Sequence, residues 1–147
     1  MSNTASTTLA RIGTVLSGVA GLSAERVRRG DPTGSGVEGS PPLAWFRAAG
    51  IDSSYGPDLG AMTRTLQVQV VLRAGSESDD YGTREDAVLD LLDICLAAIE
   101  TDTTLRGLLR IPPRTVTSGL IDGTGTGPAT AAFAIECTYF ADLGDGI

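Results

Sequence analysis

The sequence predicts an α+β fold in which a mostly antiparallel sheet of four to five strands carries two main helices on one face. Three observations predict it. Residues 63–73 alternate between apolar and polar side chains, as in a strand with one covered face. Residues 83–100 repeat apolar side chains at helical spacing, and strand-like runs follow at 114–121 and 129–140. The length of 147 residues predicts one domain, 1–147, which needs no metal or disulfide to hold its core.

The first element predicted is an N-terminal helix. Residues 1–5 are small and polar, so we expect them to be disordered. Ser6 or Thr7 offers a side-chain oxygen that can cap the start of the helix, and Gly21 is expected to end it. Apolar residues recur at helical spacing between these points, at Leu9, Ile12, Leu16 and Val19. This stripe predicts a helix that packs against the sheet.

Two short strands and two loops are predicted next. Residues 24–29 and 43–47 each have the pattern of a short strand. Residues 30–42 contain four Gly, three Pro and two Ser, so we expect a flexible loop between the two strands. Residues 48–61 are also interrupted by Gly and Pro, and we expect another loop there.

The long strand predicted at 63–73 has two chemically different faces. One face is apolar and holds Leu66, Val68, Val70 and Leu72. The other face is mainly polar and holds Thr65, Gln67, Gln69 and Val71. This alternation predicts a strand of an antiparallel sheet whose polar side is solvated or faces a partner.

A second helix is predicted at 83–100, after an acidic loop at 74–82 that we expect to be flexible. Thr83 and Asp86 stand at the spacing of a capping box. One face of the helix is apolar and holds Val88, Leu91, Leu92, Cys95, Leu96 and Ile99. Another face is lined by Asp86, Asp90 and Asp93.

The C-terminal part predicts a strand hairpin. A short turn is expected at 105–109, and two prolines at 112–113 prevent the helix from continuing. The strands at 114–121 and 129–140 flank a Gly-rich segment at 122–128, so we expect them to pair. This segment has no Lys and precedes a strand, so we interpret it as a flexible turn and not as a phosphate-binding loop.

The basic residues exclude several kinds of chemistry. All eleven are Arg, with no Lys and no His. Ser-His and Cys-His catalytic pairs, a Schiff-base Lys and a His metal ligand are therefore excluded. Asp79, Asp80, Glu85 and Asp86 lack the spacing of an EF-hand, and we interpret them as a solvated loop and helix face. We expect no enzymatic activity, no metal and no cofactor.

The charge is negative and unevenly distributed. The net charge of −7 argues against broad affinity for nucleic acid. Nine of the eighteen acids fall within residues 77–102, where Arg84 is the only basic residue. Cys95 and Cys137 are isolated, so we expect buried free thiols. The chain has no leader pattern and no run of about 20 apolar residues, so we expect an intracellular protein without a membrane segment.

The order of these elements resembles that of the tail terminator proteins of long-tailed, siphovirus-type bacteriophages. The segments that carry the resemblance are 66–72, 81–100, the following Thr101-Asp102-Thr103-Thr104-Leu105, and 131–140. The N-terminal helix also fits. The match covers most of the chain through its pattern and not through an invariant motif.

The resemblance implies a structural virion protein without enzymatic activity. Proteins of this family form a ring, typically a hexamer, that binds the open end of the tail tube and stops its polymerisation. The opposite side of the ring joins the filled head. The implied partners are other copies of the chain, the tail tube protein and a head-completion or connector protein. DNA passes through without specific binding, no membrane is involved, and the implied location is the head-proximal end of the virion tail, after assembly in the host cytoplasm.

Two sets of residues are candidates for these roles. We expect the strand at 63–73 to be an edge strand, whose polar outer face can pair or pack against a neighbouring copy. The candidate ring or partner interface comprises Thr65, Gln67, Gln69, Glu77, Asp79, Asp80 and Tyr81. The candidate bore lining comprises Asp86, Asp90 and Asp93, whose carboxylates would repel DNA phosphates. The loops at 30–42 and 74–82 are candidates for tube or head contacts, because such loops can become ordered on binding.

Two other interpretations stay open. A head-closure or neck connector protein of similar size belongs to the same structural class. A monomeric binding module, or a small enzyme with a carboxylate site at 79–86, belongs to a different class. The mass of the native protein separates a ring from these monomeric alternatives.

Overall fold

The computed structural model of this protein describes residues 5–23, 25–30, 42–55, 62–75, 80–122 and 129–140. The helices are α1 (Ala5–Ser17), α2 (Tyr81–Thr101) and α3 (Thr103–Leu108). The strands are β1 (Val27–Arg29), β2 (Leu43–Tyr55), β3 (Met62–Ala74), β4 (Arg114–Asp122) and β5 (Ala129–Phe140). The described strands form one sheet with the helices on one face, which confirms the predicted α+β class.

The five described strands lie in the order β1-β2-β3-β5-β4. β1 runs parallel to β2, and the other neighbouring strands are antiparallel. β3 pairs with β5 from Thr63 opposite Phe140 to Ala74 opposite Ala129. β4 lies beside β5, so the predicted pairing of the last two strands is confirmed. β3 lies in the middle of the sheet, so the expectation that it forms an edge is wrong.

The apolar sides of the helices and of the sheet form the main core. α2 packs on β3 and β5, and α1 packs on β1 and β2. The predicted apolar face of β3 is confirmed, because Leu66, Val68, Val70 and Leu72 are fully buried. The helices contribute Ile12, Leu16, Val88, Cys95 and Ile99. Burial of each large aliphatic side chain contributes about 1.5–3 kcal/mol relative to its exposure, so the two apolar stripes hold the layers together.

Helix α1 differs from its prediction at both ends. It begins at Ala5, which was expected to be disordered, and residues 1–4 lie outside the described part of the chain. Ser6 and Thr7 therefore lie inside the first turn and not at its cap. The helix ends at Ser17 and not near Gly21, because the following backbone N–H groups bond to carbonyls three residues back and tighten the turn.

Strand β2 is longer than predicted. The pattern indicated a strand at 43–47 and a loop at 48–61, but the strand continues to Tyr55. Its register shifts between Ala48 and Gly50, which is a β-bulge. The long partner β3 offers hydrogen bonds along its whole length, so pairing continues through residues whose own strand propensity is low.

Helix α2 begins two residues earlier than predicted, at Tyr81. Its N-cap is Asp80, whose Oδ1 accepts a hydrogen bond from the Thr83 N–H at 2.8 Å. The predicted capping box of Thr83 and Asp86 is therefore wrong. Both residues lie inside the helix, and the Asp80 carboxylate accepts the hydrogen bond from the Thr83 N–H group instead.

The loop predicted at 74–82 is shorter than expected, because Ala74 ends β3 and Tyr81 starts α2. Gly75 has φ +97°, a left-handed conformation that favours glycine. A Cβ at this position would lie 2.8 Å from Cγ of Arg84, so a larger residue would also clash. The other residues predicted as loops lie partly outside the described part of the chain, at 31–41, 56–61, 76–79 and 123–128.

Candidate interaction surfaces

The side of the sheet opposite to the helices is called here the open sheet face. Thr65, Gln67 and Gln69 lie on it and are half-buried. Thr65 Oγ1 lies 3.0 Å from Thr138 Oγ1, and Arg47 Nε donates a hydrogen bond to Gln69 Oε1 at 2.9 Å. Because β3 is central, these three predicted interface residues can meet a partner through this face but not by strand pairing.

A small apolar cluster lies at one end of the open sheet face. Leu43, Trp45 and Val71 are buried there, and Ala132 packs against them. The guanidinium carbon of Arg73 lies 5.3 Å from the centre of the Trp45 ring, which is a cation–π contact. The sheet separates this cluster from the main core. The open sheet face therefore has an apolar end and a polar end.

Each edge of the sheet includes strand backbone that has no strand beside it among the described residues. β1 pairs only with residues 44–46 of β2, and within the described residues no strand lies beside the remainder, called here the free β2 edge (47–55). The outer side of β4, called the β4 edge, also has no strand beside it in the described part. The side chain of Ile51 is 52% exposed on the first edge, and that of Val116 is 49% exposed on the second. Such edges can pair with another chain.

The three residues predicted to line a bore lie together on α2. Asp86, Asp90 and Asp93 are exposed, and their spacing of four and three residues places them on one face of the helix, away from the sheet. This acidic α2 face lies on the opposite side of the molecule from the open sheet face. The candidate bore lining and the candidate interface residues of β3 therefore lie on opposite sides of the molecule.

The remaining interface candidates lie at or before the start of α2. Asp80 has a structural role there as the N-cap. Hydrogen bonds from Thr83 lower the pKa of Asp80, and the bond from the Thr83 side chain has a larger effect than the bond from its backbone N–H. Tyr81 is the first helical residue. Glu77 and Asp79 lie outside the described part of the chain.

One polar contact that joins all three helices was missed by sequence reasoning. Arg11 on α1 donates two hydrogen bonds to the Asp102 carboxylate, from Nε at 2.9 Å and from Nη2 at 2.7 Å. Asp102 also ends α2 and caps α3, where it accepts a hydrogen bond from the Leu105 N–H at 2.8 Å. The bond from Arg11 is the main reason that the pKa of Asp102 is lowered, and it also raises the pKa of Arg11. The three-residue spacing of Asp102 and Leu105 is the sequence signal that could have identified the cap.

A shallow groove of about 440 Å³ lies beside this ion pair, between α1 and the junction of α2 and α3. Arg11, Thr14, Thr101 and Asp102 are among its lining residues. The guanidinium and the carboxylate in its wall are bonded to each other. The groove therefore presents a neutralised pair and not a free charge to a ligand.

The cysteines form no reactive site. Cys95 and Cys137 are buried and unbonded, so the prediction of free buried thiols is confirmed. Burial raises the pKa of each thiol to about 12, which keeps it neutral and a poor nucleophile. Among the described residues, no three His, Cys, Asp or Glu side chains lie where they could hold a metal ion together.

Comparison with known proteins adds no assignment. No family model matches the chain, and no curated protein matches it. Within the described residues, none of the helices has the length and apolar character needed to cross a membrane. The functional interpretation therefore depends on the order of the elements and on the surfaces described above.

Proposed function

We propose that this protein is a structural subunit of a bacteriophage tail, whose copies form a ring that caps the tail tube and stops its polymerisation. The observation that carries the proposal is the order of elements in the fold, which is the order on which the resemblance to tail terminators depends. Strand β2 was predicted to be short and is long in the fold, and the other elements follow one another along the chain in the predicted order. By the same resemblance, the ring is a hexamer at the head-proximal end of the virion tail, assembled in the host cytoplasm.

A ring requires contact between two different surfaces of the same subunit. The free β2 edge and the β4 edge lie at the two opposite edges of the same sheet and supply two such surfaces. When the ring is closed, no edge is left to extend it. The two sides of such a ring differ, so the tail tube protein can bind one side while a head-completion or connector protein binds the other.

We propose that the acidic α2 face is turned towards the path of the DNA. Asp86, Asp90 and Asp93 are exposed, and no ion pair involving them occurs in the described part of the chain. Carboxylates repel the phosphates of DNA at close range, and nothing in this arrangement reads a base. The genome can therefore pass without specific binding. The open sheet face then points away from the DNA, where another tail or head protein can reach it.

The capping activity is testable with purified proteins. When the protein is added to tail tube protein that is polymerising, we expect shorter tubes with a ring at one end, as seen by electron microscopy. The same amount added after polymerisation should leave the length unchanged, which controls for disassembly of tubes.

Loss of the protein from the phage that encodes it should produce abnormally long tails in a lysate. Tails of normal length beside unjoined heads would contradict the proposal and assign the chain to head closure or the neck. A purified protein that stays monomeric in the presence of tubes, and leaves their length unchanged, would contradict both structural roles.

A further inference from the structure

We infer that neighbouring copies in the ring are joined by main-chain hydrogen bonds between the β4 edge of one copy and the free β2 edge of the next. This inference rests on the self-association in the proposed function and names the contact that produces it. Both surfaces are backbone that has no neighbouring strand within the described residues. The N–H and C=O groups of such an edge can form hydrogen bonds with a strand of a second copy.

The directions of the strands make this junction antiparallel. β2, β3, β5 and β4 are four successive antiparallel strands, so the two outer ones, β2 and β4, run in opposite directions. Copies in a ring are related by rotation about a common axis. The alternation of strand directions therefore continues from β4 of one copy to β2 of the next. An antiparallel ladder of this kind is slightly more stable per residue than a parallel one.

A head-to-tail junction covers both edges in a closed assembly whose two sides differ, as the proposed function requires. A two-fold dimer through β4 would cover that strand in both copies but leave both free β2 edges exposed. A dimer through β2 would leave both β4 edges exposed. If both two-fold contacts formed, the assembly would have two-fold axes and therefore two identical ends, which does not fit a ring whose two sides bind different partners. Head-to-tail pairing closes the assembly and leaves neither edge uncovered.

The side chains along these edges allow another strand to approach. Residues 48–50 of the free β2 edge are Ala, Ala and Gly, and all three are exposed. Natural sheet edges are often protected by charged side chains or Pro. β2 and β4 contain no Pro, and their charged residues, Arg47, Asp52, Arg114 and Asp122, leave 48–51 and 115–121 uncharged. The exposed side chains of Ile51 and Val116 would be covered by the neighbouring copy.

Both edge strands contain irregularities that bend the sheet. The register of β2 shifts between Ala48 and Gly50, and that of β4 shifts between Thr115 and Thr117. A bulge bends its strand and increases the local twist, and curved or closed sheets are built with such bulges. Bulges also protect an edge from pairing. The experiment must therefore distinguish a junction from a protected edge.

Single cysteines on the two edges test the junction. Ala49→Cys places a thiol on the free β2 edge and Val116→Cys places one on the β4 edge, while the native thiols are buried. With a short bifunctional maleimide, a mixture of the two single variants should give a covalent dimer. The double variant should give a ladder of covalent multimers on a denaturing gel. Neither single variant alone should crosslink, because like positions do not meet in a head-to-tail contact.

Ile94→Cys is the matched control for Val116→Cys, because Ile94 has a similar exposure of 45% but lies on α2. It should not crosslink to Ala49→Cys. Crosslinking of one single variant with itself would overturn the inference in favour of a two-fold contact. Absence of crosslinks in a sample with the native mass of a ring would also overturn it, while the proposed function would stand. Failure to cap tubes would count against the proposed function alone.

Charge variants give a second, independent measurement. Ile51→Lys or Val116→Lys should weaken self-association by about tenfold or more, because each would place an ammonium group in the junction. Ile94→Lys should leave it unchanged. Equal association of all three variants, measured by sedimentation with circular dichroism to verify folding, would overturn the inference.

Discussion

At Gly13, the backbone of helix α1 packs directly on the side chain of Phe46 in β2. A Cβ added there would lie 2.5 Å from Cζ of Phe46, with two further ring atoms at 3.0 and 3.2 Å. The Phe46 ring is buried and has little room to move. Glycine in a helix costs about 1 kcal/mol relative to alanine, so the close approach of α1 to β2 explains why this position holds glycine.

Gly13→Ala should lower the free energy of unfolding by up to about 2 kcal/mol. This is the overpacking cost of roughly 1–3 kcal/mol less the gain in helix propensity of about 1 kcal/mol, and the 2.5 Å approach of the ring places the cost towards the upper end. Denaturant unfolding followed by circular dichroism measures the change. A more stable Gly13→Ala variant would contradict the described packing of α1 on β2.

Two further variants serve as controls for this prediction. Gly18→Ala should change stability little, because the nearest atom to its added Cβ is the Val15 carbonyl oxygen at 3.5 Å. In a Phe46→Leu background, Gly13→Ala should cost less than in the native chain, because the smaller side chain leaves room.

The junction of α2 and α3 depends on a single carboxylate. Asp102→Ala removes the α3 cap and the partner of Arg11 together, so we expect a loss of about 1 kcal/mol or more in the free energy of unfolding. Asp102→Asn keeps a good capping side chain and should lose less. Arg11→Ala leaves the cap intact and should also lose less than Asp102→Ala. Equal stability of Asp102→Ala and the native chain in thermal unfolding would contradict this role.

The same carboxylate predicts a dependence on pH. The pKa of Asp102 is lowered below its ordinary value of 3.8 in the folded protein. Its stabilising effect is therefore complete above that value and is lost as the pH falls through the lower folded-state pKa. In acid titrations of stability, Asp102→Asn should show a shallower loss than the native chain below about pH 4. Parallel titration curves would contradict the prediction.

Elements with a strong local pattern could be predicted from the sequence. The apolar faces of β3 and α2 are encoded by spacings of two and of three to four residues, and both are as expected. The length of β2 and the central place of β3 could not be predicted, because both depend on which distant strand pairs with them. The acidic face of α2 was predicted for the same local reason. The bond between Arg11 and Asp102 joins residues far apart in sequence, so no local pattern reveals it.

The whole molecule has two different sides, and the proposed function assigns the acidic α2 face to the DNA path. Replacing Asp86, Asp90 and Asp93 together by Arg should leave the capping of tubes unchanged but slow DNA release from particles severalfold, because cations bind phosphates. The double variant Gln67→Arg and Gln69→Arg on the open sheet face should not slow release. Slow release from the second variant and normal release from the first would place the sheet, and not α2, beside the DNA.

The position of β5 in the sheet has a consequence for synthesis of the protein. It is the last of the described strands in sequence, yet it lies between β3 and β4 in the sheet. On the ribosome, β3 therefore lacks one of its two neighbours and β4 lacks its only described neighbour until residues 129–140 have emerged, and these long-range pairings form slowly. The described sheet can therefore be completed only after this segment has been synthesised.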